Sequence, residues 1–228
     1  MARTAARKAR SYDPVKVRAA LAGETEALRG VARTAGDDPR AGRVLAQLAL
    51  RWTGERPVAL ADWLAGDGPL AVPQAPADLD PADFDPADFD PAAEQLLGRL
   101  DRLEPEELLV RLVQAVVHAE DLAAALELTD FPHERFALAT VSRVLADAFA
   151  NGVPGGSVEL RVPPFAVVQA VPGPKHTRGT PPNVVETAPL DWIRLATGRL
   201  EWAEAVDGAR LTASGERSDL SPYLPLLR

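Results

Sequence analysis

The residues in this chain that could do chemistry are few. It carries three histidines, His118, His133 and His176, and no cysteine in 228 residues. The missing thiol removes disulfides, thiolate metal sites and a cysteine nucleophile together. His118 follows Gln114 by one helical turn in Leu109-Val-Arg-Leu-Val-Gln-Ala-Val-Val-His-Ala-Glu-Asp-Leu122. A zinc site takes three or more imidazole, carboxylate or thiolate ligands, and one imidazole beside one neutral amide falls short. The residues alone read as a histidine on a narrow polar stripe with Gln114 and Asp121, bonded to a neighbour. His133, in Pro132-His133-Glu134, is explained by a helix start. No glycine-rich nucleotide loop follows a strand, and no serine elbow or paired-carboxylate pattern stands out.

His176 sits in Gly173-Pro-Lys-His-Thr-Arg-Gly-Thr180, which gathers Lys175, His176 and Arg178 in a chain of net charge −8. A glycine-rich loop with basic side chains and free backbone N–H groups can hold a carboxylate or phosphate. The competing reading is a solvated loop with Arg178 paired to Glu186 or Asp219. Thr180 closes the loop, and Asn183 and Glu186 then flank the mouth of a candidate pocket. Trp192 and Trp202 occupy helical positions beside apolar residues and read first as core; Trp192 is kept among the candidate ligand contacts.

The elements that must position these residues follow from periodicity. Asp13-Pro14 is an N-cap followed by proline at the first helical position, and Val15 to Thr34 continues as helix. Pro39 to Trp52 gives a second helix, and Pro57 to Ala65 a short third piece. Six prolines between Asp67 and Pro91, with a tandem Pro-Ala-Asp-Phe-Asp at 81–85 and 86–90, forbid a continuous helix. That stretch reads as an acidic linker or long loop, and Phe84 and Phe89 argue that it touches something. Ala93 to Leu103 is one helix. A longer one runs from Pro105 to about Leu128, its apolar arc wide enough for a central helix of a bundle, with Arg111, Gln114, His118 and Asp121 opposite. Pro132 to Ala150 is amphipathic helix. Ser157 to Val162 alternates as a strand, Phe165 to Val171 is a second, and Asn183 to Thr187 a third. Helices follow at Pro189 to Thr197 and Glu201 to Val206, then a strand at Arg210 to Ser214 and an apolar tail suited to docking. The fold class is α+β: a helical bundle at 13–130, then one mostly antiparallel sheet with helices on one face at 131–228.

Bulk properties exclude several functions. The net charge disfavours extended nucleic-acid contact, which needs clustered Lys and Arg. The basic start (Arg3, Arg7, Lys8, Arg10) reads as a disordered tail over 1–12. It is not followed by an apolar core, so it is no signal peptide, and no apolar run is long enough to span a membrane. A cytoplasmic protein without stable membrane insertion is expected.

The stretch Pro189-Leu-Asp-Trp-Ile-Arg-Leu-Ala-Thr-Gly-Arg-Leu-Glu-Trp-Ala-Glu-Ala-Val-Asp-Gly-Ala-Arg-Leu-Thr-Ala-Ser-Gly resembles the second half of sterol-carrier-type domains, with Gly198, Ala205, Gly208 and Gly215 at that family's positions. Arg161-Val-Pro-Pro-Phe165 and His176-Thr-Arg-Gly-Thr-Pro-Pro-Asn-Val-Val-Glu186 are similar to a bacterial, actinobacterial-type branch. The resemblance covers 131–227 and implies an apolar ligand tunnel between sheet and helices, without covalent catalysis. It also implies that Glu216, Arg217, Asp219 and Ser221 neighbour the pocket mouth. The 109–122 segment resembles the closing helix of the four-helix-bundle family that includes mycothiol-dependent maleylpyruvate isomerase. That family's metal-binding Glu falls on Gln114 and its His on His118, and no histidine precedes them, so the implied metal site is degenerate. The expectation is a carrier for an apolar or amphiphilic small molecule that needs no cofactor. Its ligand contacts are Lys175, His176, Arg178, Thr180, Asn183, Glu186 and Trp192. The alternatives are a mycothiol-dependent isomerase or transferase, and a ligand-responsive interaction module.

Gln114 in place of a carboxylate predicts a metal-free protein. Elemental analysis of the purified chain should find no stoichiometric zinc; one equivalent would restore the enzyme alternative.

Overall fold

A computed structural model of the chain describes residues 10–54, 88–174 and 181–227. It divides into two compact units, one spanning 13–141 and the other joining 10–12 with 142–227. The expected short helix at 57–65, and Phe84 of the tandem repeat, lie outside the described residues.

In the helical unit, α1 (Pro14–Ala32) and α2 (Pro39–Thr53) start alike, on an aspartate whose carboxylate accepts from the first-turn N–H groups, with proline next. The carboxylate satisfies donors that a helix start leaves orphaned, and the proline removes one. α3 runs Phe89–Leu97, a 3-10 turn occupies Leu100–Arg102, and α4 runs Pro105–Ala125. α4 packs on α1 and α2, and α3 packs on the same pair.

Two expectations are corrected here. The acidic stretch does not stay irregular to Pro91, because α3 starts two residues earlier at Phe89. Proline is tolerated in a first helical turn, where its missing N–H is not needed. The helix expected at Ala93 to Leu103 instead breaks after Leu97, and the chain turns through Gly98 into the 3-10 segment. Phe89 is fully buried, its ring 5.2 Å from that of Trp52. Asp90 reaches back to Arg29 at 2.8 Å and Arg33 at 2.9 Å on α1. The second copy of the repeat therefore docks on the bundle through its Phe-Asp pair.

In the other unit, the latter part of α5 (Arg135–Gly152) leads into the sheet, and α6 (Pro189–Ala196) and α7 (Trp202–Asp207) lie between its last two strands in sequence. The strands β1 (Val158–Val162), β2 (Ala166–Ala170), β3 (Val184–Thr187) and β4 (Leu211–Ser214) form one sheet in the order β2-β1-β3-β4. β1 pairs antiparallel with β2 and parallel with β3, and β3 pairs antiparallel with β4. The sheet is therefore mixed but mostly antiparallel. Alternation does what period two requires: Val158, Leu160, Val162, Ala166, Val168, Ala170, Val185 and Leu211 are buried on one face. The latter part of α5 and α6 cover that face. The Arg143 side chain donates to Phe165 O at 3.0 Å, tying α5 to the β1–β2 turn. The tail docks where Leu226 and Leu227 N–H both donate to Ala196 O. Among the described residues no helix is long and apolar enough to cross a membrane.

Truncating the docked phenylalanine should be costly, whereas cutting the half-buried ion pair of neighbouring Asp90 should cost less. We expect Phe89→Ala to lower the unfolding free energy by about 3–5 kcal/mol, and Asp90→Asn by about 1 kcal/mol or less, in urea titrations followed by circular dichroism.

Candidate functional site

Of the expected ligand contacts, Lys175, His176, Arg178 and Thr180 lie outside the described residues. The other three are placed. Trp192 is fully buried at the α5–α6 contact, its ring 5.9 Å from that of Phe149, and its indole N–H donates to Ser142 O at 3.3 Å. With that donor engaged, the side chain offers only its apolar ring. Asn183 is buried just before β3. Its amide N–H donates to Ser157 O at 2.8 Å, and its Oδ1 accepts from Arg217 N–H at 3.0 Å. It fastens the start of β1 to the chain leaving β4. Glu186 falls on the opposite face of the sheet, because Val185 beside it points inward. There it is 3.8 Å from Arg161, which also binds Glu159 at 2.7 Å. The structure thus brings Asn183 and Trp192 to the side of the apolar face and leaves Glu186 outside it.

The other polar groups of note lie inside the helical unit. α4 has no solvent stripe where Arg111, Gln114 and His118 stand, since all three are buried. Arg111 donates to Arg51 O at 2.6 Å and pairs with Glu107, while Arg99 donates to Trp52 O. Those carbonyls close α2, so two guanidinium groups meet acceptors that carry the negative end of a helix dipole. Burial pulls the Arg111 pKa down and neighbouring Arg99 adds to that, against the hold of Glu107. One helical turn apart on α4, His118 Nδ1 sits 2.8 Å from Gln114 O. Among the described residues, no three His, Asp or Glu side chains gather to hold a metal.

The helix-start explanation of His133 is incomplete. Its ring is clamped between two buried carboxylates, with Nδ1 2.6 Å from Glu24 of α1 and Nε2 2.8 Å from Glu120 of α4. Burial pulls the His133 pKa down, but hydrogen bonds and charge from Glu120 and Glu24 outweigh it and hold it at about 9. At neutral pH the ring is therefore a cation donating from both nitrogens. The second oxygen of Glu24 accepts from Glu134 N–H at 2.9 Å, and Glu134 in turn accepts from Ala137 N–H at 2.7 Å. Together they reproduce a capping box at the start of α5, with Glu24 filling the role usually played by the third helical residue. Gly23 is required beside it, because a Cβ there would lie 2.7 Å from Glu134 Cγ. The sequence did carry a signal for this cluster. Glu24 falls on the apolar stripe of α1 with Val17, Leu21 and Leu28, and a carboxylate on a buried face needs a partner.

Comparison with known proteins places one part of the chain. Residues 134–226 match the family model described as bacterial SCP ortholog, which is less than half of the sequence. Two crystal structures of the mycothiol-dependent maleylpyruvate isomerase, one of them of a mutant, are similar at 14% identity. The first covers 91% of this chain and 95% of its own with a TM-score of 0.44; the second covers 90% and 92% with 0.41. No curated protein matches the chain.

The buried triad makes the helical unit sensitive to alkali. His133 titrates above its ordinary 6.5, so its stabilisation is complete below pH 6.5 and is lost as pH rises through about 9. Urea midpoints should fall across that window. In His133→Gln, where two buried carboxylates lose their cation, stability should drop by about 3–5 kcal/mol at pH 7 and the fall across the window should vanish.

Proposed function

We propose that the C-terminal unit binds a lipid-like apolar or amphiphilic small molecule without reacting with it, and that the chain acts as a carrier. The observation that carries this is the match of 134–226 to the bacterial SCP ortholog family. The chemistry of the sheet supports it: the inward positions of all four strands are apolar apart from Thr187, whose hydroxyl is engaged by Arg210 O. Small-molecule sites combine apolar walls with a few polar groups that orient the ligand. Here the walls are Val158, Leu160, Val168 and the Trp192 ring, and Asn183 stands at one end. The head group falls to Lys175, His176, Arg178 and Thr180, which follow directly on β2 in the sequence and precede Asn183.

Nonspecific greasiness and a site of defined length behave differently in a homologous series. Burying each methylene contributes about 0.8 kcal/mol, roughly fourfold in Kd. Alkyl carboxylates of increasing length should therefore tighten by up to about fourfold per methylene and then level off where the chain outgrows the site. Arg178→Ala should weaken the carboxylates and spare alcohols of equal length. Absence of saturable binding at any chain length would remove the carrier reading.

A further inference from the structure

β4 is one margin of the sheet and pairs only with β3. Which of its backbone groups β3 uses follows from one bond. Glu159 N–H donates to Asn183 O at 3.0 Å in the parallel β1–β3 ladder. The groups that β3 turns to β1 are therefore those of Asn183 and Val185, while Val184 and Glu186 turn theirs to β4. Val184 lies opposite Ser214 and Glu186 opposite Thr212, so these are the bonded pairs of the antiparallel ladder. Ala213, opposite Val185, directs both its N–H and its C=O away from the sheet.

Sheet edges are commonly blunted by proline, lysine or a bulge. β2, the other margin, is bounded by Pro163, Pro164 and Pro172, and just beyond it Val171 N–H is taken by Val153 O. β4 has no such device. Leu211-Thr-Ala-Ser214 carries neither charge nor proline, and Thr212, Ala213 and Ser214 are exposed. The charges stand at its two ends. Arg210 precedes it, held by Asp191 through Nε and Nη2, with no bond to Nη1 among the described residues. Glu216 follows it, exposed and without a hydrogen bond or ion pair among the described residues.

We propose that β4 is the docking edge for a second copy of this chain, the two β4 strands pairing antiparallel about Ala213. Opposite residues of an antiparallel pair share a face. A two-fold axis keeps each face on its own side, so it must pass through a residue that is paired with itself. That residue must also direct its backbone groups outward, which selects Ala213 over Thr212 and Ser214. The two Ala213 residues then exchange both N–H to C=O bonds. Thr212 meets Ser214 of the other copy, and Leu211 meets Gly215, where no side chain obstructs it. One step further out Arg210 meets Glu216 of the other copy, at both ends, so opposite charges favour this register. The contact is isologous, and a strand of four residues makes it a small interface of the weak, reversible kind.

Amide hydrogen exchange followed by NMR on the full chain, dilute and concentrated, reads the edge residue by residue. Ala213 N–H should exchange as a solvent-facing amide in dilute solution and slow by at least about tenfold as dimer forms. Thr212 and Ser214 N–H, bonded to β3, should stay protected throughout. Sedimentation equilibrium on the same samples should show monomer passing to dimer. Ala213→Pro deletes an N–H that β3 does not use, so circular dichroism should be unchanged and the dimer Kd should rise about tenfold or more. Glu216→Arg, which sets like charges together at both ends, should weaken the dimer about fivefold at low salt. Ala213 exchange that does not depend on concentration overturns the proposal, whether or not the proline variant folds. A dimer that survives Ala213→Pro unchanged also overturns it, because the interface then lies elsewhere.

Discussion

Val158, Leu160 and Val162 on β1 pair across a hairpin with Ala170, Val168 and Ala166 on β2, and all six point the same way. Apart from Thr187, one face of the sheet is therefore apolar and has to be covered. The latter part of α5 and α6 do this with Phe149, Trp192 and Ile193, and the C-terminal tail brings Tyr223 to 6.5 Å from the Phe149 ring. Two polar groups of the layer are engaged locally: the Trp192 indole N–H goes to Ser142 O and the Thr187 hydroxyl to Arg210 O. Sheet, helices and tail answer one constraint. The proposed ligand would lie where that constraint is strongest.

The helical unit is organised by charge as well as by apolar packing. Its central helix buries polar side chains that serve other helices' ends, as Arg111 does for α2. Glu24, Glu120 and His133 lock α1, α4 and the residues before α5 to one another, and Glu24 also caps the α5 start. Removing one member of such a cluster leaves an uncompensated buried charge, which is why these interactions are all-or-none. Nothing in the triad is open to a substrate on the histidine itself, since both ring nitrogens are engaged. We read it as architecture rather than chemistry.

Periodicity made most elements legible. β1 alternates strictly, and its observed burial follows that alternation residue by residue. The Asp-Pro starts of α1 and α2 were equally plain. Reading failed where a local rule met a tertiary one. The proline density predicts an irregular chain to Pro91, but Pro91 occupies the first turn of α3, where its ring does no harm. The polar stripe of α4 predicts a side facing away from the core; the carbonyl end of α2 gives Arg111 a buried partner instead. The sequence neighbours of His133 predict only a helix start, whereas its partners lie 109 and 13 residues away. Of the candidate site, Asn183 and Trp192 stand beside the apolar face and Glu186 on the other. Strand alternation from Val185 already implies opposite faces for Asn183 and Glu186.

Adjacent Val167 and Val168 make the central claim directly measurable, because they lie on opposite faces of β2, one exposed and one buried. Methyl-labelled full-length protein titrated with dodecanoate in NMR experiments reads both faces at once. The account predicts saturable shifts at Val158, Leu160 and Val168, with Val167 and the helical unit's Val113 and Val116 undisturbed. Shifts confined to Val167, or to the helical-unit methyls, would contradict a ligand held on the inner face of the sheet.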